Sequence, residues 1–105
     1  MRIGHGYDAH KIIPGNGMVL GGVFIESKFS IEAHSDGDLI AHALIDALLG
    51  ALRQKDIGSY FPSNKNEFKN IRSPKMLKPI IKKLYDQNFY INNIDINLIC
   101  EKPKV

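Results

Sequence analysis

Residues 39–52 constrain this chain more than any other stretch. Leu39-Ile40-Ala41-His42-Ala43-Leu44-Ile45-Asp46-Ala47-Leu48-Leu49-Gly50-Ala51-Leu52 is built almost wholly of Ala, Leu and Ile. These residues form helix well or tolerate it. Nearly every face of such a helix is apolar, so it belongs inside a protein. One stripe differs. Asp38, His42 and Asp46 recur at i, i+4 and i+8 and stack along one side. A face turned to water more often carries Lys, Glu or Arg, whereas two short acids flank an imidazole here. The stripe fits a polar site lined by the helix. It also fits a wet stripe or a hydrogen-bonded core histidine.

The residues before the helix carry their own signal. Ser35 or Asp36 can cap the first turn, and Asp38 sits well near the positive end of the helix dipole. Gly37 permits a turn free of Cβ clashes. Free N–H groups at a helix start, with the Ser35 hydroxyl, form a natural anion cradle, and His34 stands just before it. The alternative is an ordinary capped helix.

Residues 1–10 read as a strand with glycines at 4 and 6, and glycine in a strand often marks close approach by another backbone or a ligand. In an extended chain residues i and i+2 point the same way, so Asp8 and His10 present an oxygen and a nitrogen side by side. His5 has the opposite parity. D-x-H alone is weak, but joined to His42 it becomes an Asp-His-His set. Three such ligands leave one zinc position open for a substrate. Asp46, one turn beyond His42, is placed to orient the imidazole from behind.

The remaining pattern completes a small α+β domain spanning residues 1–105. Residues 11–17 read as a loop broken by Pro14, Gly15 and Gly17, and residues 18–25 as a strand pair or bent strand around Gly21-Gly22. Residues 55–65 have loop chemistry. Ser73 is a good N-cap and Pro74 a good first helical residue. Met76, Leu77, Ile80, Ile81, Leu84 and Tyr85 then keep helical spacing opposite a lysine face, and Pro79 should kink or delay this helix. Asn88 can close it in the left-handed conformation. Alternation at Ile94, Ile96, Leu98 and Cys100 reads as a half-buried strand. A formal charge of +3, with no basic stripe among aromatics, argues against nucleic acid. No apolar run is long enough to span a membrane, and the first residues do not form a secretory leader. One cysteine, Cys100, rules out an internal disulfide framework and fits a reducing compartment.

Taken together, Arg2-Ile3-Gly4-His5-Gly6-Tyr7-Asp8-Ala9-His10, Gly21-Gly22-Val23, Ala33-His34-Ser35-Asp36-Gly37-Asp38, the run from His42 to Ala51 and Asp56-Ile57-Gly58 closely resemble the 2-C-methyl-D-erythritol 2,4-cyclodiphosphate synthase family of non-mevalonate isoprenoid biosynthesis. The resemblance runs in register over all 105 residues. It implies a ferredoxin-like α/β sandwich, with a mixed sheet covered by helices on one face. It implies a homotrimer with active sites between subunits, in the cytoplasm or, in a plastid-bearing source, the plastid stroma. The implied reaction closes the diphosphate of 4-diphosphocytidyl-2-C-methyl-D-erythritol 2-phosphate into a ring and expels CMP. The family's zinc ligands fall on Asp8, His10 and His42, and a second divalent ion, Mg²⁺ or Mn²⁺, bridges the α- and β-phosphates. Asp8 and His10 also count among the substrate-binding positions. His34 and Ser35 would contact phosphate, His34 as transition-state stabiliser. Asp56, Ile57 and Gly58, with Phe61, Pro62, Ser63, Asn64 and Lys65, would hold the erythritol part. Cys100, Glu101, Lys102, Pro103, Lys104 and Val105 match the cytosine pocket offered to a neighbouring subunit.

Two departures stand out. The family usually continues F-P-D-x-D where this chain has Phe61-Pro62-Ser63-Asn64-Lys65. Family chains also run about a third longer, through a segment with a Thr-Thr-Glu motif, so the chain reads as C-terminally truncated. The residues alone leave two other functions open. One is a zinc-dependent phosphohydrolase using the open metal position to activate water. The other is an inactive trimeric zinc-binding remnant.

Overall fold

The computed structural model describes residues 1–33, 35–54 and 72–103. The Gly21-Gly22 pair turns the chain back on itself. Both residues lie in the left-handed region (φ 60° and 80°), as a two-residue hairpin turn matched to strand twist requires. Strand β2 (Gly17–Leu20) pairs across this turn with β3 (Val23–Glu26), and β1 (Ile12–Pro14) pairs with β4 (Phe29–Ile31), both antiparallel. The two ribbons share one register. Gly15 N donates to Lys28 O, Ser27 N to Asn16 O and Glu32 N to Lys11 O, so pairing continues across the bend between them. Residues 11–32 thus form one long bent hairpin, and the loop expected over residues 11–17 is largely strand.

Helix α1 spans Leu39–Ala51 and α2 spans Ser73–Asp86. Ile45, Leu48, Leu49 and Leu52 meet Met76, Ile80 and Leu84 in a continuous core. Met18 and Leu20 bury the inner face of the hairpin. Helix α2 runs through Pro79 without a break. Pro79 is exposed, and the apolar face at Met76, Ile80 and Leu84 holds the helix on α1, offsetting the missing hydrogen bond. Arg72 occupies the cap position and makes no side-chain cap bond, so Ser73 is the first helical residue rather than the cap. Asn88 (φ 62°) closes α2 as its sequence suggests.

Two segments read as strands take no strand partner among the described residues. Residues 1–10 keep the two-residue period of an extended chain, with Gly6, Asp8 and His10 half-buried and Tyr7 and Ala9 exposed. Their partner is α1. Residues 94–100 likewise take no strand partner among the described residues, and Ile94, Ile96 and Ile99 are exposed. The α+β class holds. No helix among the described residues is long and apolar enough to cross a membrane.

Candidate metal centre

The centre begins with how residues 1–10 reach α1. An added Cβ on Gly4 would stand 1.8 Å from the Ala47 carbonyl oxygen, and one on Gly6 1.8 Å from that of Ala43. Only glycine allows so close an approach. The segment therefore lies directly on the alanine face of α1 and delivers Asp8 and His10 beside His42.

There the three side chains converge. Asp8 Oδ2 is 3.2 Å from His10 Nδ1 and 3.3 Å from His42 Nδ1, and one ligand atom from each residue lies within 4.8 Å of the others. His42 is buried, and Asp8 and His10 are half-buried. Asp8 Oδ2 and His10 Nδ1 are buried yet make no well-formed hydrogen bond. They are close together without pointing at each other. Ligands about 2.0–2.2 Å from a tetrahedral ion stand roughly 3.3–3.6 Å apart, which the two shorter spacings approach. Orphaned buried polar atoms are rare because leaving one unsatisfied costs about 1–3 kcal/mol. A cation between these groups would satisfy them, so the residues fit a metal ion.

The other face of the His42 ring is held as well. Ser35 Oγ lies 3.1 Å from Nε2, and Asp36 Oδ1 lies 3.9 Å from the same atom. A proton on Nε2 donated to Ser35 leaves the Nδ1 lone pair facing Asp8 and His10, the arrangement a metal-ligating histidine needs. Asp8 lies at Nδ1, and Ser35 and Asp36 lie at Nε2. Ser35, expected at a phosphate, thus has its hydroxyl on His42.

Asp38 is not part of the polar stripe. It is the N-cap of α1, in place of Ser35 or Asp36, and its carboxylate is completely buried. Oδ1 accepts from Gly21 N (2.8 Å) and Ala41 N (3.1 Å), and Oδ2 accepts from Gly22 N (2.7 Å) and Ser73 Oγ (3.2 Å). One carboxylate thus joins the hairpin tip to the starts of both helices. Asp36 works beside it, accepting from Asp38 N (3.0 Å) and Ser73 N (2.7 Å). The roles of Asp36 and Ser73 went unforeseen in the sequence; the only hint was the run of short polar residues before the helix.

At the far end, Cys100 Sγ donates to Lys102 O (3.2 Å) and Pro103 O (3.4 Å), and Lys102 Nζ lies 5.8 Å from the centre of the Phe29 ring. Glu101 is exposed. His34, Asp56, Ile57, Gly58, Phe61, Pro62, Ser63, Asn64, Lys65, Lys104 and Val105 lie outside the described residues.

The YgbB family model matches residues 1–105. The chain belongs to the YgbB family. It is 50% identical over 105 residues to the 2-C-methyl-D-erythritol 2,4-cyclodiphosphate synthase of Francisella tularensis subsp. novicida, covering 99% of this chain and 66% of that protein. The Buchnera aphidicola subsp. Schizaphis graminum enzyme of the same name is 49% identical, covering 100% and 63%. Among solved structures, a CDP complex of IspF from Plasmodium falciparum superposes with a TM-score of 0.80 at 42% identity, covering 98% of this chain and 62% of that one. The chain therefore spans just under two thirds of the length of these relatives.

Proposed function

We propose that this chain carries the metal-binding part of a 2-C-methyl-D-erythritol 2,4-cyclodiphosphate synthase, a lyase of isoprenoid precursor biosynthesis. The observation that carries the reading is the convergence of Asp8, His10 and His42 with two buried ligand atoms unsatisfied, in a chain half identical to enzymes of that name. The substrate is 4-diphosphocytidyl-2-C-methyl-D-erythritol 2-phosphate. Its 2-phosphate oxygen forms a bond to the β-phosphorus, the bond from that phosphorus to the α–β bridging oxygen breaks, and CMP leaves with that oxygen.

The two-nitrogen, one-oxygen donor set suits Zn²⁺, which Asp8, His10 and His42 would hold, and a second divalent ion, Mg²⁺ or Mn²⁺, would serve the substrate's phosphates. Bound there, a divalent ion neutralises phosphate charge and polarises the phosphorus under attack. The protein's own residues do the positioning. Ser35 and Asp36 hold the His42 ring so that Nδ1 faces Asp8. His34 donates to the phosphate whose charge grows during cyclisation. Residues 56–58 and 61–65 hold the erythritol part. Residues 100–105 serve the cytosine of a neighbouring subunit within a homotrimer, and the CDP-bound relatives support a nucleotide at this fold. The location that fits is the cytoplasm, or the plastid stroma in a plastid-bearing source.

The test is product analysis with the full-length protein. Cyclic diphosphate and CMP in equal amounts support the reading. Free phosphate would point to a phosphohydrolase, and no turnover with metal retained would point to a binding protein.

A further inference from the structure

The backbone of residues 1–10 meets α1 along a seam that the proposed chemistry does not use. Arg2 donates to Ala51 O (3.2 Å) at the C-terminal end of α1 and covers the Phe89 ring at 4.6 Å. Gly4 then lies on Ala47, Gly6 on Ala43, and Asp8 beside His42. The segment runs antiparallel to the helix. Two extended residues advance about 6.6 Å, and four helical residues rise about 6.0 Å, so the two periods nearly match. Alternate residues from Arg2 to Gly6 therefore keep step with successive turns of the helix, at Ala51, Ala47 and Ala43, and Asp8 then comes beside His42.

We infer that Gly6, with Gly4 behind it, is a positioning residue for the metal triad. A Cβ at Gly6 would meet the Ala43 carbonyl oxygen at 1.8 Å and the Ala47 amide nitrogen at 2.8 Å, and at Gly4 the Ala47 carbonyl oxygen at 1.8 Å. All are backbone atoms of a buried helix, so they cannot swing away as a side chain would. The segment must lift instead. Asp8 stands two residues after Gly6 and His10 four after it, so the lift carries both away from His42, which is anchored in α1. Neither glycine has a positive φ in this structure, so what the seam needs is space rather than unusual backbone freedom.

This inference rests on Asp8, His10 and His42 being a metal site, and the experiment separates the two ideas. The full-length protein and its Gly6→Ala, Gly50→Ala, Arg2→Ala and His42→Ala variants are titrated with Zn²⁺ alone against a chromogenic chelator. Co²⁺ absorption reports the coordination geometry, and circular dichroism reports the fold. Gly6→Ala should bind Zn²⁺ at least ~10-fold more weakly with its helical signal intact, as happens when groups supporting metal ligands are disturbed. Its Co²⁺ spectrum should change as well. Gly50→Ala adds the same methyl on α1 itself, where none of the described residues lies within 4 Å, and should bind as the parent does. Parental affinity and spectrum in folded Gly6→Ala would overturn the inference. If Gly6→Ala does not fold, Arg2→Ala decides, because it loosens the far end of the seam without adding bulk. Weaker binding there supports the inference, and parental binding overturns it. Undiminished Zn²⁺ in His42→Ala would instead refute the metal site itself.

Discussion

Asp38 shows how much one side chain can hold. Its buried carboxylate accepts from two amides of the hairpin tip, one amide of α1 and the Ser73 hydroxyl. Asp38→Ala would leave the Ala41 amide and the Ser73 hydroxyl buried without an acceptor and would free the hairpin tip at Gly21 and Gly22. Each donor left buried and unsatisfied costs about 1–3 kcal/mol, so denaturant unfolding of the metal-free protein should show a loss of at least about 2 kcal/mol. A loss below about 1 kcal/mol would mean the donors find other acceptors. Sequence pattern misplaced this residue for a physical reason. Helical spacing put it on the stripe with His42, but a cap lies outside the helix and its side chain turns back to the first turn. Asp8, His10 and His42 were legible because two regular periods, one extended and one helical, fix where they point. Ser35 and Asp36 reach His42 through an irregular turn with Gly37 at φ 74°, which no periodicity encodes. Two contrasting outcomes follow. His42→Ala should lose its metal and its activity. His34→Ala should keep its metal, because His34 is not a ligand, and cyclise ~10²–10³ times more slowly, the usual loss for one donor to developing charge. Loss of metal in His34→Ala, or turnover at the parental rate, would remove that role.

Among the elements, α1 does most to organise the molecule, and its sequence announced it. It packs α2 through Ile45, Leu48, Leu49 and Leu52 and receives residues 1–10 on its alanine side. The hairpin around Gly21-Gly22 was equally legible, since two adjacent glycines between apolar runs are turn chemistry. Residues 1–10 and 94–100 were legible only in part. Alternation reports that a chain is extended with one side covered; it does not report what covers it. For residues 1–10 the cover is a helix, made accessible by Gly4 and Gly6. Helix α1 also contains a residue its packing does not require. Gly50 is exposed, and a Cβ there would meet none of the described residues within 4 Å. Gly50→Ala should therefore stabilise the protein by up to about 1 kcal/mol, the difference in helix propensity, seen as a higher denaturant midpoint at unchanged slope. A lower midpoint would show that the end of α1 needs the glycine.

At the scale of the whole molecule, apolar residues remain where water would reach them. Ile3 is 86% exposed, Tyr7 78% and Ile99 95%, and all three lie on the two segments that take no strand partner among the described residues. Isolated apolar residues are ordinary on a protein surface, but a concentration on unpaired extended backbone is not. Such backbone also leaves amides and carbonyls open to pairing with another chain. Further chain or further subunits are the covers available, and the homotrimer proposed above supplies the second. Small domains gain much of their burial from association, so assembly should be tight. The full-length protein is expected to sediment as three chains at micromolar concentration. Replacing Ile99 with Lys should shift that equilibrium toward smaller species if this side chain lies between subunits, while the α1–α2 core, which it does not enter, keeps its helical signal. A parent that sediments as a stable monomer would rule out the trimer, and would leave any cytosine pocket built from residues 100–105 with no neighbour to serve.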